Sequence, residues 1–509
     1  MKTQIYFAPV LLLLLLIHTA VFAQSSGNAF PRLDPDPKAL ELYRLGTGGR
    51  TYSWTDLAEA GLWASGADGS RLEQIRALAG AIQSDPDFPG SAEKEAEFIL
   101  DYLYKNLLKT YSTQQTRVDT MLASGSYNCV SSAVLYLILC KSVDLDAQGV
   151  MTKDHAFVTV LIDGENIDVE TTNPYGFDPG SRKDFHDQFG KLTGFAYVPA
   201  RNYRDREAIS PMELISLILS NRISELERAN RFAEAVPLAV DRMALLAGDE
   251  ARGADAAPTD QTAAADGGPT ASFFEDPRKD LVDRLLNYGA FLLKAGREED
   301  GLRWAALAAA QYPDEKRWQE FILAAVNNRI AALVAAGRIA EARNFLSVQE
   351  AALVPANYAQ MDAKLIDAEL LDSVNKIRDA AGGDKVIASI DAARSGGRID
   401  AKRASALLSF AVQKTAAILS AAPGRDWLAA INYIESAVTR YGSTPEIEQA
   451  LRTYRSNLAT DFHNRFAAAW NKKNYDDALQ ILNDGLAEFP SDRQLLADRD
   501  VANRNRPVQ

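Results

Sequence analysis

The C-terminal half of this chain repeats itself, and a repeat limits the possible folds because each unit must bury its apolar face against the next. The segment Tyr288-Gly289 … Leu292 … Gly301 … Ala308 … Pro313 sets small residues at positions 8, 20 and 27, and a proline at 32, of a 34-residue unit. Small residues at those places let two helices approach closely, and the proline ends the second one. The turn signal Ala295-Gly296-Arg297 returns as Ala336-Gly337-Arg338, each glycine five residues before a small residue, Gly301 or Ala342. It returns again as Arg231-Phe232-Ala233-Glu234-Ala235 and as Asn474-Tyr475-Asp476-Asp477-Ala478, with Pro490 twelve residues after the last alanine. Trp427-Leu428-Ala429-Ala430 with Ala437 is a looser copy. The spacing predicts stacked helical pairs.

This pattern resembles the tetratricopeptide (TPR) repeat. The resemblance implies an all-α solenoid with a first helical pair over 211–247, further pairs over 277–503, and a surface that docks a protein partner or substrate. Between them, 248–276 is rich in Ala, Gly, Asp, Thr and Pro from Gly248 to Pro269 and reads as a flexible linker. The 509 residues exceed what one hydrophobic core organises, so further domains are expected. Residues 24–92, with Pro31, Pro35 and Pro37 and a helix from Arg71 to Ile82, read as a partly helical extension. Residues 93–200 read as a compact block of two helices followed by two short strands. A net charge of −13 argues against a nucleic-acid partner, which needs clustered Lys and Arg. The two cysteines build neither a disulfide framework nor a four-thiolate zinc site, and no phosphate-cradling loop or dinucleotide fingerprint occurs. No cofactor and no metal are therefore expected.

The first residues give an address. Lys2 precedes an apolar run centred on Leu11 to Leu16, and Val21-Phe22-Ala23 closes it with a small-residue exit. This predicts a secretory signal peptide over 1–23 and a periplasmic or secreted protein. No cysteine follows the run to carry a lipid anchor, and no later stretch is apolar enough to span a membrane.

Chemistry concentrates between Met121 and Gly180. A turn, Gly125-Ser126-Tyr127-Asn128, runs into Cys129 and an apolar helical stretch, so Cys129 falls at a helix N-terminus. Free backbone N–H groups and the helix dipole there favour a thiolate and offer donors to an oxyanion. Cys140, about three turns and ~16 Å further along the same helix, reads as a core residue. His155 opens a β-branched strand that runs to Ile162, Asp163-Gly164 marks a hairpin turn, and Ile167 to Thr171 returns. With that turn, paired residue numbers sum to 327, which puts His155, Phe157, Asp168 and Glu170 on one face of the hairpin. A thiol, an imidazole and a carboxylate in that order make a Cys-His-acid triad: nucleophile, base and orienting acid. His18 falls in the signal segment, and His186 and His463 have no acid–Cys constellation around them and read as surface or helix residues.

At these residues the chain resembles the transglutaminase-like fold of the papain-type cysteine protease superfamily. Ser124-Gly125-Ser126-Tyr127-Asn128-Cys129-Val130 is similar to that family's Gly-x-Cys helix start, with the glycine four residues ahead instead of two. His155-Ala156-Phe157-Val158 is similar to its His-Ala-aromatic strand, and Val169-Glu170-Thr171-Thr172 to its Val-Asp-x-Thr strand, with Glu in place of Asp. The resemblance implies Cys129 as nucleophile, His155 as base and Glu170 as orienting acid, with Asp168 as reserve, and Tyr127 as the aromatic neighbour of the cysteine. Together the two resemblances imply an α+β transglutaminase-like domain followed by an all-α TPR-like solenoid. Two functions fit: a cysteine hydrolase or acyltransferase acting on a peptide or amide bond, or a non-catalytic periplasmic scaffold with a degenerate peptide-binding domain.

Overall fold

The structure, a computed structural model, describes residues 29–48, 51–179, 206–248, 276–421 and 426–505. The expected signal segment 1–23, nearly all of the expected linker 248–276, and His186 lie outside the described residues. The described residues are largely helical, with a four-stranded sheet and a two-stranded pair, and the chain divides into two compact units, the first ending at Ala325 and the second starting at Val326.

The first unit is built around α6, Cys129–Ser142, after five helices α1 (Pro37–Thr47), α2 (Trp54–Ser65), α3 (Leu72–Gln83), α4 (Ala92–Asn106) and α5 (Val118–Ser124). Every residue of α6 from Val130 to Cys140 is buried. A helix apolar on all sides must be covered on all sides. It is covered by α2, α4, α5, α7 (Pro211–Arg228), β3 (Asp146–Met151) and β4 (Ala156–Ile162). The sheet runs β5-β4-β3-β6, wholly antiparallel, with β5 at Glu165–Val169 and β6 at Glu207–Ile209. Asp163 and Gly164 both take positive φ, 51° and 84°, as a two-residue hairpin turn requires. The resulting register is Val158↔Val169, Thr159↔Asp168 and Val160↔Ile167, so paired numbers sum to 327. A two-residue parallel pair, β1 (Thr110–Tyr111) with β2 (Ser126–Tyr127), sits ahead of α6.

Two strands of this sheet lie beyond the pair expected from sequence. β3 escapes notice because Asp146 and Gln148 are exposed and Gly149 interrupts it. That glycine is there for contact: a Cβ at Gly149 would meet Ile209 Cγ1 at 2.8 Å and Leu214 Cβ at 3.0 Å. The segment set apart as an extension also shares this core. Leu42, Leu57, Ile75 and Ile82 are buried in one cluster with Leu135 of α6 and Val158 of β4. So are Leu214, Ile218 and Leu245, from α7 and α8 (Phe232–Ala247), the helices expected as a first repeat pair.

Helices α9 (Pro277–Lys294), α10 (Glu298–Gln311) and the start of α11 (Arg317–Ala335) complete the first unit. The second holds α12 (Ile339–Val348), α13 (Pro355–Asn375), α14 (Ala380–Ser395), α15 (Ala401–Ser420), α16 (Trp427–Tyr441), α17 (Pro445–Asn471), α18 (Tyr475–Glu488) and α19 (Arg493–Asn505). Each packs chiefly on its chain neighbours. The first helix of five pairs ends in the same way. Asn230, Gly296, Gly337, Gly397 and Lys473 have φ between 58° and 72°. The following residue, Arg231, Arg297, Arg338, Arg398 or Asn474, donates its N–H to a carbonyl five residues back at 2.8–3.0 Å. This is the Schellman ending, which satisfies carbonyls a helix end would otherwise orphan. Gly289 and Gly301 mark close helix approach, since a Cβ at either would meet Phe321 Cε2 or Leu293 Cδ2 at 2.7 Å.

Candidate active site

Cys129 is the first residue of α6. Asn128 caps the helix: its Oδ1 accepts the Ser131 N–H at 3.0 Å, and Ser131 Oγ accepts the Asn128 N–H at 3.0 Å. The first N–H groups of a helix have no partner within it, so those beside the thiol point outward as donors. Gly125 prepares this geometry. It ends α5 with φ 75°, and a Cβ there would meet the Leu107 carbonyl oxygen at 2.6 Å.

His155 stands immediately before β4, and Glu170 immediately after β5. His155 Nε2 lies 2.6 Å from Glu170 Oε2. The other carboxylate oxygen accepts two hydrogen bonds from Thr172, from N–H at 3.1 Å and from the hydroxyl at 2.6 Å. Glu170 is 2% exposed, so this carboxylate is aimed and held before any substrate arrives. The Cys129 thiol lies close enough to the imidazole to act on its protonation. Burial by itself lowers the pKa of the imidazole. The Glu170 charge, reinforced by Cys129 and by the hydrogen bond to Glu170, outweighs it and holds His155 well above its usual value. The structure thus brings Cys129, His155 and Glu170 together.

Asp168 shares the hairpin face but has other partners. Arg206 grips it with two bonds, at 2.9 and 2.7 Å, and Thr159 Oγ1 donates to it at 3.0 Å. The same Arg206 guanidinium lies over the Phe157 ring, 5.3 Å from its centroid, and Phe157 stacks on His155 with centroids 6.3 Å apart. Asp168 is therefore bound up behind the imidazole and does not reach it.

Three tyrosines surround the site. Tyr127 is buried, with Tyr104 and Tyr111 edge-on to it at 6.0 and 5.9 Å. Tyr104 donates to the Thr171 carbonyl at 3.0 Å and shares a 3.1 Å bond with the Tyr127 hydroxyl. Tyr111 is the ring whose titration feels the cysteine: burial, then the Cys129 and Glu170 charges, raise its hydroxyl pKa, so it remains a donor. Sequence reasoning singled out Tyr127 alone. The signal for Tyr111 is its place in a strand two residues long, which no periodicity exposes. Cys140 is fully buried, and burial pushes its thiol up to about 12. In the second unit His463 pairs with Asp498 at 2.7 Å, an acid partner invisible in sequence because it comes from another helix. Among the described residues no cluster of His, Cys, Asp and Glu is arranged to hold a metal ion, and no helix is long and apolar enough to cross a membrane. Compared with known proteins, the chain matches no family model and no curated sequence.

Proposed function

We propose that this protein is an exported transglutaminase-like cysteine hydrolase or acyltransferase that acts on peptide or amide bonds, with TPR-like repeats that dock a substrate protein or partner. The observation that carries it is His155 standing between the Cys129 thiol and a buried, fully hydrogen-bonded Glu170. In the reaction His155 takes the thiol proton and sulfur attacks the amide carbonyl carbon. The carbonyl oxygen becomes an oxyanion, for which the N–H groups at the start of α6 are the nearest donors. The C–N bond then breaks, the amine leaves with the proton from His155, and a thioester remains. Water releases the acid, or a second amine takes the acyl group; either way His155 accepts the incoming proton and returns it to the sulfur. Glu170 stabilises the imidazolium in both halves.

Alkylation by iodoacetamide at about pH 6 and pH 8 tests this. Cys129 of the wild type is expected to label fast at both pH values, and His155→Ala to label at least about ten-fold more slowly at the lower one. Equal, slow labelling of Cys129 with and without His155 would overturn the enzyme reading and leave a peptide-binding scaffold.

A further inference from the structure

The proline-rich stretch ahead of α1 does not hang free. Phe30 lies against Trp304 of α10, with centroids 5.8 Å apart, and the Arg303 guanidinium covers its ring at 5.6 Å. Two residues on, Arg32 reaches Asp241 of α8 with both arms of its fork, at 2.9 and 2.5 Å. The Asp36 N–H adds a third bond to the same carboxylate at 2.8 Å. Leu33 between them is buried.

The receiving surface is built for such an occupant. The Asp241 side chain is only 6% exposed, and the hydrogen bonds to its oxygens come from this segment. A carboxylate that deep is costly unless an opposite charge meets it, and a guanidinium meets it with matched geometry. Trp304 is fully buried, held from behind by its own Nε1–H donating to the Leu285 carbonyl at 2.9 Å and by Tyr288 edge-on at 4.8 Å. The occupant is built for the surface as well. Pro31 and Pro35 fix their own φ and bias Phe30 and Asp34 toward extended backbone, which lowers the entropy lost on seating.

We infer that the α8–α10 face is a peptide-docking site for an extended segment carrying an aromatic residue two positions ahead of an arginine. Residues Phe30 to Asp36 are its resident occupant in cis, and a partner with the same pattern enters by displacing them. Tethering gives the resident an effective concentration in the millimolar range, so a free peptide meets strong competition in the wild type.

The test uses the full chain and a fluorescently labelled peptide with the sequence of residues 29–36. A Phe30→Ala/Arg32→Ala variant, its fold checked by circular dichroism, is expected to bind this peptide at least about ten-fold more tightly than the wild type. A peptide with Ala in place of its arginine is expected to lose that binding. Should the double variant not fold, Phe30→Ala alone keeps the ion pair and supports the same comparison. A folded variant that binds no better than wild type, or that binds the Ala-substituted peptide equally well, overturns the inference.

Discussion

At the scale of single residues, Glu170 and Asp168 divide the labour that sequence left open between them. Glu170→Gln keeps the size but removes the charge facing His155, and it is expected to slow alkylation of Cys129 about ten- to a hundred-fold. Asp168→Asn should leave that rate within about two-fold of wild type and instead cost about 1–3 kcal/mol of stability in denaturant unfolding, because Arg206 loses its buried partner. The raised His155 pKa carries a pH signature. The charged imidazole contributes stability in full below the ordinary value of 6.5 and loses it as pH rises through the raised folded value. The melting-temperature gap between wild type and His155→Gln is therefore expected to narrow on the alkaline side, as measured by thermal scans at stepped pH. Cys140, with its thiol pushed up to about 12, is expected to label only after denaturation. The sequence alone points to Cys129, His155 and both candidate acids, because each carries a local signal: a turn before an apolar helix, and period-two alternation around Asp163-Gly164. It does not reveal Thr172 as the clamp on Glu170, because that contact is made where the chain leaves the strand and its alternation ends; Tyr104 and Tyr111 escape as neighbours because their contacts join segments further apart in the chain.

Among elements, the repeated helix ending is where conformation is most exposed to test. Gly337 has φ 72° with open space around its Cα, so a side chain there is strained by the backbone alone. Gly337→Ala is expected to cost about 1 kcal/mol and lower the melting temperature of its unit by about 2–4 °C. Gly337→Asn should cost less, since Asn230 holds the corresponding turn at φ 58°. The turns at Gly296 and Gly337 are legible in the sequence because the left-handed position selects glycine, whereas Lys473 holds the same conformation with no such mark. Strand β3 is not legible: β4 pairs with it directly across the next turn, but its other partner β6 comes from far along the chain, and Gly149 with the polar Asp146 and Gln148 leaves it little strand signal of its own.

For the whole molecule, the two compact units have separate apolar cores, one around α6 and another running from Ile366 to Ile447. Calorimetry is expected to resolve more than one unfolding transition, with His155→Gln shifting only one of them. The architecture also has a consequence for aim. An amphipathic helix has its rotation set by its greasy stripe, but α6 is apolar all round and could turn on its axis at little hydrophobic cost. What indexes it is a row of hydroxyls: Ser131 to the Gln115 carbonyl, Ser132 to Thr171, and Tyr136 to the Ala96 carbonyl. These act as the teeth of a key. The bulk of the core decides that α6 is held, while three oxygen atoms decide which way Cys129 faces.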